Sequence, residues 1–168
     1  NYINEILEED FVIEDKWIGQ LSNIPKGGLK GLLYYKLITI EKDNLNFCVD
    51  ISKNVKTKLK KLQKDQLKDI SHIIGIFIDN AIEASVNSKK KMFSLEIYCI
   101  KKELNIVITN SFDGQIELNK INNNGYSTKG KDRGKGLYFV SKIKEKNPNI
   151  LTEAHIINNY FVQKIVIK

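Results

Sequence analysis

Cysteine, proline, histidine, methionine and tryptophan are all scarce in this 168-residue chain, which has two Cys, two Pro, two His, one Met and one Trp. Cys48 and Cys99 each fall inside a strand-like run. They read as small buried residues rather than a disulfide or a metal pair, which suits a reducing cytoplasm. His72 lies in an apolar helical run and His155 in an alternating one. Both read as structural, because a lone His without an orienting partner is rarely catalytic. No apolar run approaches the length of a membrane span, no signal peptide opens the chain and no internal repeat is present. The first residue is Asn rather than Met, so the expectation is a fragment whose upstream part could include membrane spans. What is present is 42% hydrophobic residues in helical and alternating patterns. That composition argues for one globular domain with a full core and a short appendage, not for disorder.

The formal charge is +7, from 27 Lys and Arg against 20 Asp and Glu. Much of the excess is concentrated in Lys53, Lys56, Lys58, Lys60, Lys61, Lys64 and Lys68. Val55, Leu59 and Leu62 interrupt these lysines at near-helical spacing, and no aromatic residue is interleaved to stack on a base. The pattern predicts an amphipathic helix with a solvated lysine face and no nucleic-acid partner.

Residues 1–24 read as partly helical, and Pro25, Gly27 and Gly28 then punctuate the chain. Leu29, Leu32, Leu33, Tyr35 and Leu37 to Ile40 predict an apolar helix ending near Asp43. Leu45, Phe47, Val49 and Ile51 alternate with polar residues, as in a strand with one buried face. Phe93 to Cys99 and Leu104 to Ile108 alternate on either side of a short turn, predicting a hairpin. Carrying the second alternation one step further puts Asn110 on the inward side, where an amide needs partners. Leu137, Phe139, Val140 and Ile143 predict a helix stopped by Asn147 and Pro148, and two strands follow around Asn158-Asn159.

Between these elements lies the stretch with the most to say, D-I-S-H-I-I-G-I-F-I-D-N-A-I-E-A-S from Asp69 to Ser85. Ile70, Ile73, Ile74, Phe77, Ile78, Ala81 and Ile82 recur at helical spacing and predict a core-facing stripe. The stripe leaves Asp79, Asn80 and Glu83 unexplained. Like charges four residues apart cost an isolated helix about 0.2–0.5 kcal/mol, so a nearby cation is expected. The cluster is either a solvated helix edge or a set of oxygen donors facing a hard cation such as Mg²⁺.

A second polar stretch, Glu117 to Gly136, ends in G-Y-S-T-K-G-K-D-R-G-K-G directly ahead of a predicted helix. Free amides at a helix N-terminus bind anions, and glycines let phosphate oxygens approach the backbone. A flexible surface loop is the competing reading. Gly125 to Lys131 fits G-x-x-x-x-G-K, but Asp132 stands where a Walker loop needs Ser or Thr, and no strand leads in. Gly134-Lys135-Gly136 lacks the third glycine of a dinucleotide fingerprint.

The ordered combination D-N-A-I-E-A, I-T-N-S-F-D-G and G-Y-S-T-K-G-K-D-R-G-K-G-L resembles the ATP-binding domain of the superfamily containing gyrase B, Hsp90, histidine kinases and MutL. Within it, the chain is most similar to quorum-sensing receptor histidine kinases of the accessory-gene-regulator type and the clostridial VirS-like kinases. The resemblance implies an α+β fold of Bergerat type, a two-layer α/β sandwich with a mixed sheet covered on one face by helices. It covers residues 44–168 as the ATP-binding catalytic domain, with residues 1–43 as a helical remnant of the dimerisation hairpin. It implies that Asn80 ligates Mg²⁺ and that Asn110 accepts from the adenine amino group, where most relatives carry Asp; an Asn carbonyl can accept the same bond. Gly114 matches the glycine four residues further on, and Ile116 and Tyr126 would line the pocket. Ser127, Thr128 and Lys129 would close over the triphosphate together with Arg133, and Gly134 and Gly136 match the second glycine box.

Two departures bear on chemistry. Hydrolysing relatives carry a general-base Glu four residues before the metal Asn, and here that residue is Ile76. Water activation is therefore not expected. Glu83 stands where many kinases have Lys or His. The resemblance further implies a phosphoacceptor histidine on separate dimerising helices, and neither His72 nor His155 fits its pattern. The expectation is a piece that binds ATP and Mg²⁺ without phosphorylating itself, the cytoplasmic part of a homodimeric bacterial membrane receptor kinase that serves a response regulator. An ATP-gated clamp of MutL or gyrase type and an anti-sigma-factor serine kinase are the alternatives.

Overall fold

The computed structural model describes residues 17–115 and 135–168. Among them, β1 (Asn46–Ile51), β2 (Met92–Ile100), β3 (Glu103–Ser111), β4 (Ile150–Ile157) and β5 (Tyr160–Ile167) form a five-stranded sheet in the order β1-β2-β3-β5-β4. Only β1 and β2 pair in parallel; the other neighbours are antiparallel. The parallel step has a simple cause. Between β1 and β2 the chain makes a short helix, α2 (Val55–Lys60), and a long one, α3 (Lys64–Val86), and a parallel pair needs a crossover of that kind. The two hairpins turn tightly, with Lys101 and Asn158 at φ 57° and 54°.

The alternation expected from the sequence becomes a two-sided sheet. Phe93, Leu95 and Ile97 of β2, Leu104, Ile106 and Ile108 of β3, and Ile165 and Ile167 of β5 are all buried on one face. On the other face Cys48, Asp50 and Glu96 are exposed. The helices cover the apolar face alone, so the fold is the expected two-layer sandwich.

Helix α1 (Gly28–Lys42) buries Leu29, Leu33, Leu37 and Ile40, and α3 buries the whole predicted stripe from Ile70 to Ile82. Helix α4 (Lys135–Lys146) adds Val140 and Ile143. These side chains belong to one core together with the sheet, and Trp17, Leu21 and Ile24 extend it beyond β1. Helix α1 thus shares its core with the sheet. The segment ahead of it also finishes the exposed edge: the Ile51 amide donates to Gln20 Oε1 at 2.8 Å, and Asn23 Nδ2 donates to the Ile51 carbonyl at 2.6 Å. An edge strand left with unpaired groups invites association, and these two amides occupy those of Ile51 at the end of β1.

Several surface expectations are met or corrected. Lys56 and Lys58 donate to the backbone carbonyls of Ser22 and Lys102 at 3.2 and 2.6 Å, so part of the lysine-rich stretch serves the fold. His72 is exposed beside the Phe139 ring, 5.7 Å between centroids, and His155 is exposed 3.5 Å from Glu153. Cys48 corrects the expectation of two buried cysteines: it is exposed, because the alternation of β1 turns it away from the core. Cys99 is half-buried, and burial pushes its thiol up against an opposing pull from Lys58.

Candidate functional site

Helix α4 lies antiparallel along α3, and three contacts fix the direction. A Cβ at Gly136 would stand 3.0 Å from Ile76 Cγ2. The Phe139 ring lies against His72, and Asn147 Nδ2 donates to Asp69 Oδ2 at 2.9 Å. As α4 proceeds, its partners move back along α3. The N-terminus of α4 therefore points toward the C-terminal half of α3, where Asn80 follows Ile76 by four residues and so lies one turn on, along the same side.

That C-terminal half is tied to the end of β3 by serines. Ser85 Oγ donates to the Met92 carbonyl at 2.8 Å, and Ser88 Oγ and Ser111 Oγ are 2.6 Å apart. Ser111 Oγ also accepts from the Met92 amide at 2.8 Å. Ser85, Ser88 and Ser111 are all buried, so the junction is rigid at the residue next to Asn110. Along α3, Asn80 lies between the α4 N-terminus and the β3 terminus.

Asn110 is 1% exposed on the helix-covered face, as the alternation predicts. Its Nδ2 donates to the Ser111 carbonyl at 3.0 Å, which leaves Oδ1 as the end that can accept. Asn80 is exposed. Gly114 has φ 91°, a conformation that favours glycine, so the turn after β3 needs this residue whatever binds there. Ile116, Tyr126, Ser127, Thr128, Lys129, Arg133 and Gly134 lie outside the described residues.

Asp79 does not share the side of Asn80. It pairs with Lys36 of α1, which supplies the cation that the Asp79–Glu83 spacing calls for. The grouping of Asp79 with Asn80 toward a metal is thereby corrected: adjacent residues on a helix diverge by about 100°, and the α1 side takes Asp79. Among the described residues no group of three or more His, Cys, Asp or Glu is arranged to hold a metal by itself. A metal shared with a nucleotide needs fewer protein donors, because phosphates and waters supply the rest.

Two residues were missed from the sequence. Lys36 belongs to an exposed-looking helical face with nothing to mark its partner. Gln163 of β5 is 4% exposed, and its Oε1 is buried without a hydrogen-bond partner among the described residues. Its signal was a polar residue on the inward phase of an apolar strand.

A family model described as the GHKL domain matches residues 66–168. No curated protein matches the chain. Among solved structures, the chain is similar to the nucleotide-free catalytic domain of the histidine kinase ThkA, at 19% identity over 83% of this chain and 88% of that one, with a TM-score of 0.62. It is also similar to the Acinetobacter baumannii histidine kinase AdeS, at 14% identity over 99% and 81% of the two chains, with a TM-score of 0.56. Full-length ShkA in complex with AMPPNP matches at 12% identity over 86% of this chain and 30% of that one, with a TM-score of 0.58. At these identities the likeness establishes the fold, the mixed sheet with helices on one face, and the family model establishes the membership: the chain belongs to the GHKL domain family.

Proposed function

We propose that this chain is the ATP-binding catalytic domain of a sensor histidine kinase of the accessory-gene-regulator type. It presents Mg·ATP to a histidine on dimerisation helices outside the sequence, in a homodimeric receptor whose cytoplasmic side serves a response regulator. The observation that carries this reading is the antiparallel seating of α4 on α3, Gly136 on Ile76, which aims a helix N-terminus along the side of α3 that bears Asn80. Free amides and the helix dipole at such an end favour phosphate. Asn110 Oδ1 is the acceptor for the adenine amino group, and Asn80 supplies the oxygen donor for the metal. Asn80 would hold Mg²⁺ together with the nucleotide, and the ion would supply positive charge to offset that of the phosphates. The residues of this chain then position rather than transform, because half-buried Ile76 occupies the place from which a carboxylate would activate water.

Calorimetric titration with ATP, with and without magnesium, tests the binding half of the proposal; magnesium is expected to tighten ATP about tenfold or more, as the loss of one good ligand interaction would imply. Adding the dimerisation and phosphoacceptor helices of the same kinase tests the transfer half. Label from γ-phosphate-labelled ATP is expected on a histidine of those helices and not on this chain. Steady hydrolysis without transfer would overturn the kinase reading in favour of a clamp ATPase.

Gly136 gives a separate check. A valine there presses on Ile76, whose Cγ2 already stands 3.0 Å from the Cβ position, and must push the α4 N-terminus away. Gly136→Val is expected to weaken ATP about tenfold and adenosine less than twofold, the tenfold corresponding to about 1.4 kcal/mol. Ile76→Ala in the same chain should restore part of the loss. Equal losses for both ligands would mean that this helix end does not hold phosphate.

A further inference from the structure

The unpartnered oxygen of Gln163 is the one buried side-chain polar atom without a hydrogen bond among the described residues. A buried acceptor without a donor lowers stability, and native interiors seldom keep one without cause. Register fixes where it points. Gln163 pairs with Ile108 on one side and Ala154 on the other, while Asn110 pairs with Phe161. Directly paired residues face the same way, so Gln163, Ile108 and Asn110 all stand on the helix-covered face. Gln163 is the diagonal neighbour of Asn110. Such neighbours are about 7–8 Å apart, within reach of a long side chain. Phe161 and Ala154, beside Gln163 on this face, are only partly buried, so the sheet is incompletely covered there by the described helices.

We propose that Gln163 is a second base-reading side chain of the nucleotide site, and that its Oε1 accepts a hydrogen bond from the exocyclic amino group of a 6-aminopurine, directly or through one ordered water. This rests on the ATP-binding function proposed above. The two carboxamides divide the work. Asn110 donates one Nδ2 hydrogen to the Ser111 carbonyl, and its oxygen is the end that can accept from an amino group. Gln163 has its oxygen sealed in, so it too asks for a donor. A 6-amino group brings two N–H bonds, whereas a 6-keto purine brings an acceptor and leaves both oxygens unsatisfied.

The test is Gln163→Met, nearly equal in length and apolar, in the whole chain, measured for thermal stability and for ATP and ITP affinity. Free of ligand, the variant is expected to melt at a higher temperature, because the unpartnered oxygen is gone. Its ATP affinity is expected to fall about 5–20-fold, in the range set by leaving one buried hydrogen-bonding group unpaired. ITP affinity should change less than twofold, so the preference for ATP over ITP narrows. Opposite movement of stability and affinity is what a packing role would not produce. Unchanged ATP affinity, or parallel losses in melting temperature and in both ligands, would overturn the assignment. If the unaltered chain binds neither nucleotide, the proposed function itself fails, and that is seen without any variant.

Discussion

Asn80→Asp is expected to abolish saturable Mg·ATP binding, a loss of at least 100-fold, while the melting temperature stays within a few degrees of the unaltered chain. The side chain is exposed, and substitutions of that kind usually change stability by no more than about 0.5 kcal/mol. The binding effect is large because a neutral amide is suited to this place. Mg²⁺ shared with a triphosphate takes one or two protein oxygens and keeps the rest of its shell in phosphates and water. A carboxylate could ligate the metal, but on the proposed function it would also face the phosphates, and two unit charges about 4 Å apart at an effective dielectric near 20 repel by about 4 kcal/mol. Asn80→Ala separates the two parts. It should remove the increment that magnesium adds to ATP affinity and leave magnesium-free binding within about twofold, in line with a lost ligand and no new charge. Asn87→Asp serves as the charge control: Asn87 is exposed seven residues further on, at the C-cap of α3, and its Nδ2 donates to the Glu83 carbonyl at 2.8 Å. It should cost less than threefold, since an exposed charge more distant than a Debye length of about 8–10 Å is largely screened. Equal losses from Asp at 80 and at 87 would reduce the effect to general repulsion and remove Asn80 from the metal.

Much of the layer structure could be read before any coordinates, because it depends on local period. The run from Ile70 to Ile82 has one way to bury its isoleucines, and both hairpins announce themselves by alternation around short polar turns. The sequence placed Asn110 inward by counting in twos, and the sheet agrees. What could not be read depends on residues far apart in the chain. Asp79 and Asn80 look like one polar cluster until α1 is placed, and the direction of Asp79 is settled by Lys36, 43 residues earlier. The parallel pairing of β1 with β2 has no local signature. Cys48 looked apolar in a strand, but its phase opposes that of Val49 and Ile51.

Gly136 illustrates a subtler limit. From sequence, a glycine ahead of a helix suggests close approach of an anion. In the fold it has a second reason, since Ile76 occupies the space a side chain would need. The two reasons meet in one departure from the hydrolysing pattern: the residue standing in for a general base is also the one against which α4 is seated. Gln163 was visible as a polar residue on an apolar phase, yet without the register to Ile108 and Ala154 it could as well have marked an exposed strand.

Asn110→Ala is expected to weaken ATP about 10–100-fold and to leave tripolyphosphate affinity within twofold, the former range corresponding to the roughly 1–3 kcal/mol of an unmade buried hydrogen bond. The division follows from position. Asn110 is buried at the end of β3, across the sheet from Phe93 and Phe161; one of its two Nδ2 hydrogens goes to the Ser111 carbonyl, and its oxygen is the part of the amide that can accept. On the proposed function this corner takes the base, and the phosphates lie toward the α4 N-terminus. The fold should survive, because the Ser85, Ser88 and Ser111 bonds that hold this corner do not pass through the Asn110 side chain. Gly136→Val acts at the other end of the ligand, so the double variant should lose the product of the two single effects, as separated sites do. A tripolyphosphate loss as large as the ATP loss would show that alanine disturbs the corner as a whole. An unchanged ATP affinity would put the base elsewhere, and with it would go the reason for a carboxamide at the end of this strand.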